Sequence, residues 1–152
     1  MNLTSSTISR EWTNVTEKPE YRLEDQVGFK LRLANQRHLE IFASEMPDLT
    51  PRQFAVLAKL KDEGTTSQNQ LGRLVAMDAA TTKGVVERLS RKGMIATAPS
   101  PTDRRRIEIS LTDEGRAVLD HVVPIAAQIS ERTLRNLTPR ERARLLVLLD
   151  KL

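Results

Sequence analysis

The chain has 152 residues, of which 39% are hydrophobic and 29% charged, a balance typical of a globular protein of one domain or two small interlocked ones. It has no cysteine and only two histidines, which excludes disulfides, thiolate metal sites and thiol redox sensing, so no metal and no cofactor is expected. The formal net charge is +4; no apolar run approaches the roughly 20 residues of a membrane span and the N-terminus lacks a signal-peptide pattern, so a cytoplasmic protein without membrane contact is expected.

Residues 1–20 are polar, rich in Ser and Thr, and read as a flexible arm. Trp12, the single tryptophan, stands in this arm, either to dock on a partner subunit or as a stray exposed aromatic. A first helix is expected over about 21–45, because Leu23, Val27, Leu31, Ala34, His38 and Ile41 recur at steps of three and four. "MPDLTPRQF" interrupts it: Thr50 is an N-cap, Pro51 suits the first helical position, and Gln53 completes a capping box. This second helix runs through Phe54, Leu57 and Leu60 to Gly64. Ser67 with Gln70 opens a short third helix, and Asp78 caps a fourth that stops at Gly93.

After Gly93 the period changes. "MIATA" reads as a strand, and "RRIEISL" as a half-buried strand with Ile107, Ile109 and Leu111 inward. The turn-rich "PSPTDR" between them makes this a β-hairpin with arginines at its tip. Thr112 caps a long helix to about Leu134, with Val118, Val122, Ile125 and Ile129 as its stripe and Pro124 expected to bend it. A last helix follows "LTPRE". Its Leu145, Leu146, Leu148, Leu149 and Leu152 are more than a short terminal helix can bury against its own chain.

Two short helices joined by a tight connection and followed by a basic hairpin make a winged helix-turn-helix, in a mainly α fold whose terminal helices form a dimerisation domain. The expected division is 48–112 for the winged helix-turn-helix and 21–47 with 113–152 for the dimer domain. Charge agrees. Residues 65–111 hold eight Lys/Arg against four Asp/Glu, and the rest of the chain is neutral. A basic segment of this kind is a footprint for a polyanion, the alternative being a solvated face.

The second helix of such a pair enters the major groove. On the fourth helix Thr82, Val85, Val86 and Leu89 share an inward face, while Ala80, Lys83, Gly84, Glu87, Arg88 and Arg91 point away. Gly84 either brings main chain close to DNA or is a tolerated neutral glycine. The expected double-stranded DNA contacts are Ser67, Gln68, Asn69, Ala79, Ala80, Thr81, Lys83, Gly84, Arg88, Arg91, Arg104, Arg105 and Arg106. An arginine at a hairpin tip reaches the minor groove, where the negative potential is strong. Asp103 would be repelled by DNA, and is expected to pair with Arg105 and aim its guanidinium.

"LVAMDAATTKGVVERLSRKGMIATAPSPTDRRRIEISLTDEG" resembles the MarR family of bacterial winged-helix regulators. The matching pieces are Leu89 and Gly93 closing the recognition helix, Asp103 and Arg105 on the wing, and Leu111, Thr112 and Gly115 opening the next helix. The resemblance spans about 21–152. It implies an obligate homodimer built from the first and last helices, a wing role for Arg105, a supporting role for Asp103, and repression as the default outcome. Family members often carry a larger or polar side chain at Gly84. For the dimer, the candidates are Leu23, Val27, Leu31, Leu145, Leu148, Leu149 and Leu152.

"DQVGFKLRLANQRHLEIF" is similar to members that repress catabolism of small aromatic acids, including hydroxynicotinate-responsive repressors. This implies an aromatic carboxylate inducer. His38 either is a core histidine bonded to main chain or, with Arg37, Phe42, Phe54 and Trp12, lines an inducer cavity. No nucleophile–base pairing, glycine-rich phosphate loop or metal-ligand cluster stands in the sequence, so an enzyme is not expected. The other reading is a ligand-independent nucleoid or protein-docking winged helix.

Overall fold

The N-caps divide the chain as expected. In the computed structural model, which describes residues 20–103 and 105–152, the helices are α1 (Val27–Glu45), α2 (Pro51–Glu63), α3 (Gln68–Leu74), α4 (Ala79–Arg91), α5 (Asp113–Thr133) and α6 (Pro139–Leu149). Trp12 and the rest of 1–19, and Arg104, lie outside the described residues. Thr50 and Thr138 each form a full capping box, with Gln53 and Glu141. Ser67, Asp78 and Thr112 each accept an amide of the first turn that follows. α5 continues as helix through Pro124.

The strands are β1 (Thr66–Ser67), β2 (Ile95–Pro99) and β3 (Ile107–Leu111), antiparallel in the order β1-β3-β2. β2 and β3 form the hairpin, with Thr97 opposite Ile109. β1, only two residues long, was not expected. It exists because Thr66 pairs with Ile109 across the sheet, not because of any local period.

Two further expectations are corrected. The first helix does not begin at 21. Leu23–Asp25 form a 3-10 turn, Gln26 is extended, and α1 starts at Val27. The Gln26 side-chain amide turns back to the Arg22 carbonyl at 3.0 Å, and its main-chain amide bonds the Leu23 carbonyl at 3.0 Å, closing the turn before α1. Ile107 is not inward but 41% exposed. It pairs with Pro99 at the far end of the hairpin, where it borders the open cleft beside α3.

The core is aliphatic. Val56, Leu57 and Leu60 of α2, Leu71 of α3, Val85, Val86 and Leu89 of α4, Ile109 of β3, and Leu119 and Ile129 of α5 are all buried. Leu119, absent from the expected stripe, is fully buried beside Val122, whereas Val118 and Ile125 are only partly covered. One close approach fixes where α5 starts. Gly115 is buried, and a Cβ there would run into the Met94 carbonyl oxygen, so no other residue fits.

The turn between α3 and α4 stores strain. Ala76 sits at φ 52, a left-handed conformation that costs a non-glycine residue roughly 1–2 kcal/mol. Ala76→Gly is expected to stabilise the protein by about 0.5–1 kcal/mol after the entropy of the added glycine. Urea denaturation of the two proteins checks this; an unchanged or lowered midpoint contradicts the strain.

Candidate nucleic-acid interface

α4 presents two opposite faces, as its sequence requires. Thr82, Val85, Val86 and Leu89 are buried, and Ala79, Ala80, Lys83, Glu87, Arg88 and Arg91 are exposed, with Gly84 and Thr81 half-buried between. The N-terminus of α4 is held by Asp78, whose carboxylate accepts the Thr81 amide at 2.7 Å and the Thr81 hydroxyl at 2.9 Å. These two bonds, the main-chain one foremost, hold the Asp78 carboxyl below the usual carboxylate range. The cap is therefore intact above about pH 3.8 and lost only as pH falls further. At the other end, Gly93 at φ 72 stops the helix.

The hairpin tip is shaped by hydrogen bonds. The Ser100 amide donates to the Arg106 carbonyl at 2.8 Å, and the Arg106 amide to the Asp103 carbonyl at 2.9 Å. Asp103 Oδ1 accepts the main-chain amide of Arg105 at 3.0 Å, an Asx turn. The expected guanidinium pairing is thus corrected: Asp103 forms no ion pair with Arg105, and positions that residue through its main chain. The guanidinium stays available.

The tip and α3 together enclose a cleft of about 370 Å³ lined by Ser67, Gln68, Asn69, Gln70, Arg73, Arg105, Arg106 and Ile107. Three guanidinium-bearing residues and the polar start of α3 converge there. Among the described residues none of Arg73, Arg88, Arg91, Arg105 or Arg106 forms an ion pair; Lys83 meets Glu87 at 3.8 Å, both exposed. Arg73 is the residue the sequence reading missed. Its charge was visible, but only the fold of α3 against β3 brings it beside Arg105. A concave, unpaired cationic cleft can hold one phosphate by charge-assisted hydrogen bonds.

His38, Phe42 and Phe54 come together in one row. Ring centroids lie 6.1 Å apart for His38–Phe42 and 6.4 Å for Phe42–Phe54, both edge-on. The His38 partner is a side chain, not main chain: Nδ1 lies 3.0 Å from Thr133 Oγ1. That hydroxyl donates its hydrogen to the Ile129 carbonyl at 2.8 Å, so it accepts from His38 Nδ1–H. Arg37 is half-buried on the same helix. Two clefts of about 630 Å³ lie nearby, and His38 lines neither. One separates α1 from α4, between Leu39 and Gly84; the other is mainly apolar, between Met46, Leu49 and Met94 and the Val118, His121, Val122 side of α5.

The proposed dimer residues stand uncovered by their own chain. Leu23, Val27, Leu31, Leu148, Leu149 and Leu152 are exposed, Leu145 is half-buried, and α6 buries none of its residues.

Comparison with known proteins agrees with this geometry. The family model described as "MarR family" matches residues 49–107, which span α2, β1, α3, α4, β2 and the hairpin tip and end at the first residue of β3. The transcriptional repressor NicR of Pseudomonas putida is 42% identical over 134 residues, 87% of this chain and 85% of that protein. This chain belongs to the MarR family. It is a winged-helix transcriptional regulator, as its relatives are, and not an enzyme. Among solved MarR-type structures, a probable transcriptional regulator from Pseudomonas aeruginosa superposes with a TM-score of 0.82 at 47% identity, covering 86% of this chain and 98% of that one. BpsR of Bordetella bronchiseptica, whose DNA binding is regulated by 6-hydroxynicotinic acid, superposes with a TM-score of 0.84 at 41% identity, covering 86% and 95%.

If the Arg73 cleft holds a phosphate, Arg73→Ala lowers affinity for random-sequence duplex and reduces the slope of log affinity against log salt by about 0.9. A fluorescence-anisotropy salt titration measures both, and an unchanged slope removes Arg73 from the interface.

Proposed function

We propose that this MarR family member is a homodimeric repressor that binds a pseudo-palindromic operator and is released by a small aromatic carboxylate. The observation that carries the DNA reading is the set of cations that form no ion pair among the described residues, Arg88 and Arg91 on α4 and Arg73, Arg105 and Arg106 at the α3–wing cleft, with Lys83 exposed on α4 beside Glu87. Lobe 48–112 reads DNA: α4 enters the major groove, with Ala79, Ala80, Thr81, Lys83 and Gly84 toward the bases, and Arg88 and Arg91 toward phosphate. Ser67, Gln68 and Asn69 contact backbone, and the wing arginines, Arg104 among them, reach the minor groove. Asp103 serves the wing through its Asx turn.

Residues 21–47 and 113–152 form the dimer. Leu23, Val27, Leu31, Leu148, Leu149 and Leu152 are apolar side chains that their own chain leaves exposed, available to be covered by a partner copy. Among the described residues no helix is long and apolar enough to cross a membrane, which fits a protein acting on DNA in the cytoplasm.

The inducer reading rests on the likeness to NicR and to BpsR, whose regulator is 6-hydroxynicotinic acid. Within this chain, His38 is the group that supports it. With Nδ1–H committed to Thr133, Nε2 is the ring atom left to meet a ligand's polar group. Arg37 adds charge and the half-buried Phe54 adds apolar surface, while Phe42 is buried in the core behind them. Coupling between such a site and DNA is typically worth 1–3 kcal/mol, or about 5- to 150-fold in affinity.

Two measurements test the proposal. Footprinting should show symmetric protection with half-site centres about 10 bp apart on one face of the duplex; a single half-site bound by one chain would refute it. Calorimetry against hydroxylated benzoates and pyridine carboxylates should find a ligand that releases the DNA, bound at least about tenfold more weakly by His38→Ala. Equal binding by the folded variant assigns His38 to the core alone.

A further inference from the structure

Gly84 has no structural reason to be glycine. It lies mid-way along α4, in ordinary helical conformation, and a Cβ built there meets only Arg88 Nη1, at 4.0 Å, an ordinary contact. Gly115, by contrast, is forced by the Met94 carbonyl. A mid-helix glycine with free space around it weakens the helix through main-chain entropy and returns nothing to the fold.

What glycine leaves is a gap on the outward side of α4, at the edge of the cleft that Ala80, Gly84 and Arg88 share with Leu39 of α1 and Pro51 of α2. One turn before it stands Ala80, exposed and ending in a methyl. Beside it stands Lys83, and one turn after it Arg88, both exposed and long enough to reach phosphate. The wall has long cationic side chains flanking a bare centre. A helix with its side chains is about 10–12 Å across and the major groove about 12 Å wide, so the central side chains set how deep the helix sits. The group that projects furthest into that groove without hydrogen-bonding capacity is the thymine C5-methyl, and its partners in recognition are small apolar surfaces.

We propose that Gly84 is a specificity-determining position, at which the gap floored by main chain and edged by the Ala80 methyl receives a thymine C5-methyl in each half-site. The proposal rests on the DNA-binding reading above and extends it to the base that is read. Selection works by space: any side chain at 84 occupies the volume of the methyl, and a cytosine opposite leaves the gap empty. Burial of one methyl is worth about fourfold in affinity, so replacing that thymine by uracil costs about fourfold per half-site.

The test uses the full-length chain. Duplexes with a randomised core of about 30 bp, three helical turns, are selected on the wild-type protein, and the enriched duplex is the probe. Gly84→Ala is expected to raise the melting temperature by about 2–4 °C, because the helix gains a better former. The same variant should lose about tenfold or more in affinity for the enriched duplex, and its ratio of enriched to unselected affinity should fall by a similar factor. Thymine-to-uracil replacement along the probe should weaken the wild type at one position per half-site and leave Gly84→Ala unaffected there. The proposal is overturned if Gly84→Ala binds the enriched duplex as tightly as wild type. It is also overturned if no thymine methyl matters, or if selected and unselected affinities fall together. A wild type that enriches no sequence contradicts the DNA-binding reading itself, and this proposal with it.

Discussion

At the end of α4, three segments meet within one turn of main chain. The Met94 amide bonds the Leu89 carbonyl at 3.0 Å, the Met94 carbonyl accepts the Thr112 amide at 3.2 Å, and the Thr112 hydroxyl donates to the Gly93 carbonyl at 2.6 Å. Gly115 lets the first turn of α5 lie directly on Met94. This joint ties α4, the hairpin and α5 into one unit. Lys92 adds a second tie, donating to the Asp48 carbonyl at 2.6 Å between α1 and α2, and Arg132 bonds Glu45 at the end of α1. A displacement of α5 must therefore carry α4 with it. That coupling is what an inducer acting far from DNA requires.

The wing meets a different physical problem. Neighbouring arginines repel one another, by about 1 kcal/mol for two charges 4 Å apart in water. Neutralising them with acids would remove the cationic surface they make. The tip instead is ordered by its main chain, through Asp103, Ser100 and the Arg106 amide and carbonyl, so the guanidiniums are placed without being paired. On α4 Asp78 uses its carboxylate on Thr81 at the cap, and among the described residues Arg88 and Arg91 form no ion pair while Lys83 meets Glu87.

Local chemistry was legible in the sequence, and long-range contact was not. Thr50, Ser67, Asp78, Thr112 and Thr138 each carry their helix start in a few residues, because a cap bonds within its own first turn. The two faces of α4 followed from period alone. β1 could not be foreseen, since a two-residue strand is defined by its partner Ile109. Arg73 joins Arg105 only across the α3–β3 contact, and His38 meets Thr133 from a helix 95 residues away. Ile107 obeyed the strand alternation but lies past the edge of what the helices cover.

The central claim is that two copies hold their α4 helices at a spacing matched to one turn of DNA. Because the chain has no cysteine, a single Ser90→Cys change labels one exposed site per chain, on α4 beside the face formed by Lys83, Gly84 and Glu87. Electron–electron double resonance between two spin labels then reads the spacing directly. Bound to operator, the labelled protein should give one narrow distribution consistent with recognition helices about 34–36 Å apart. An aromatic carboxylate that releases DNA should move or broaden that distribution. No dipolar coupling, or a broad distribution indifferent to DNA, would contradict the account.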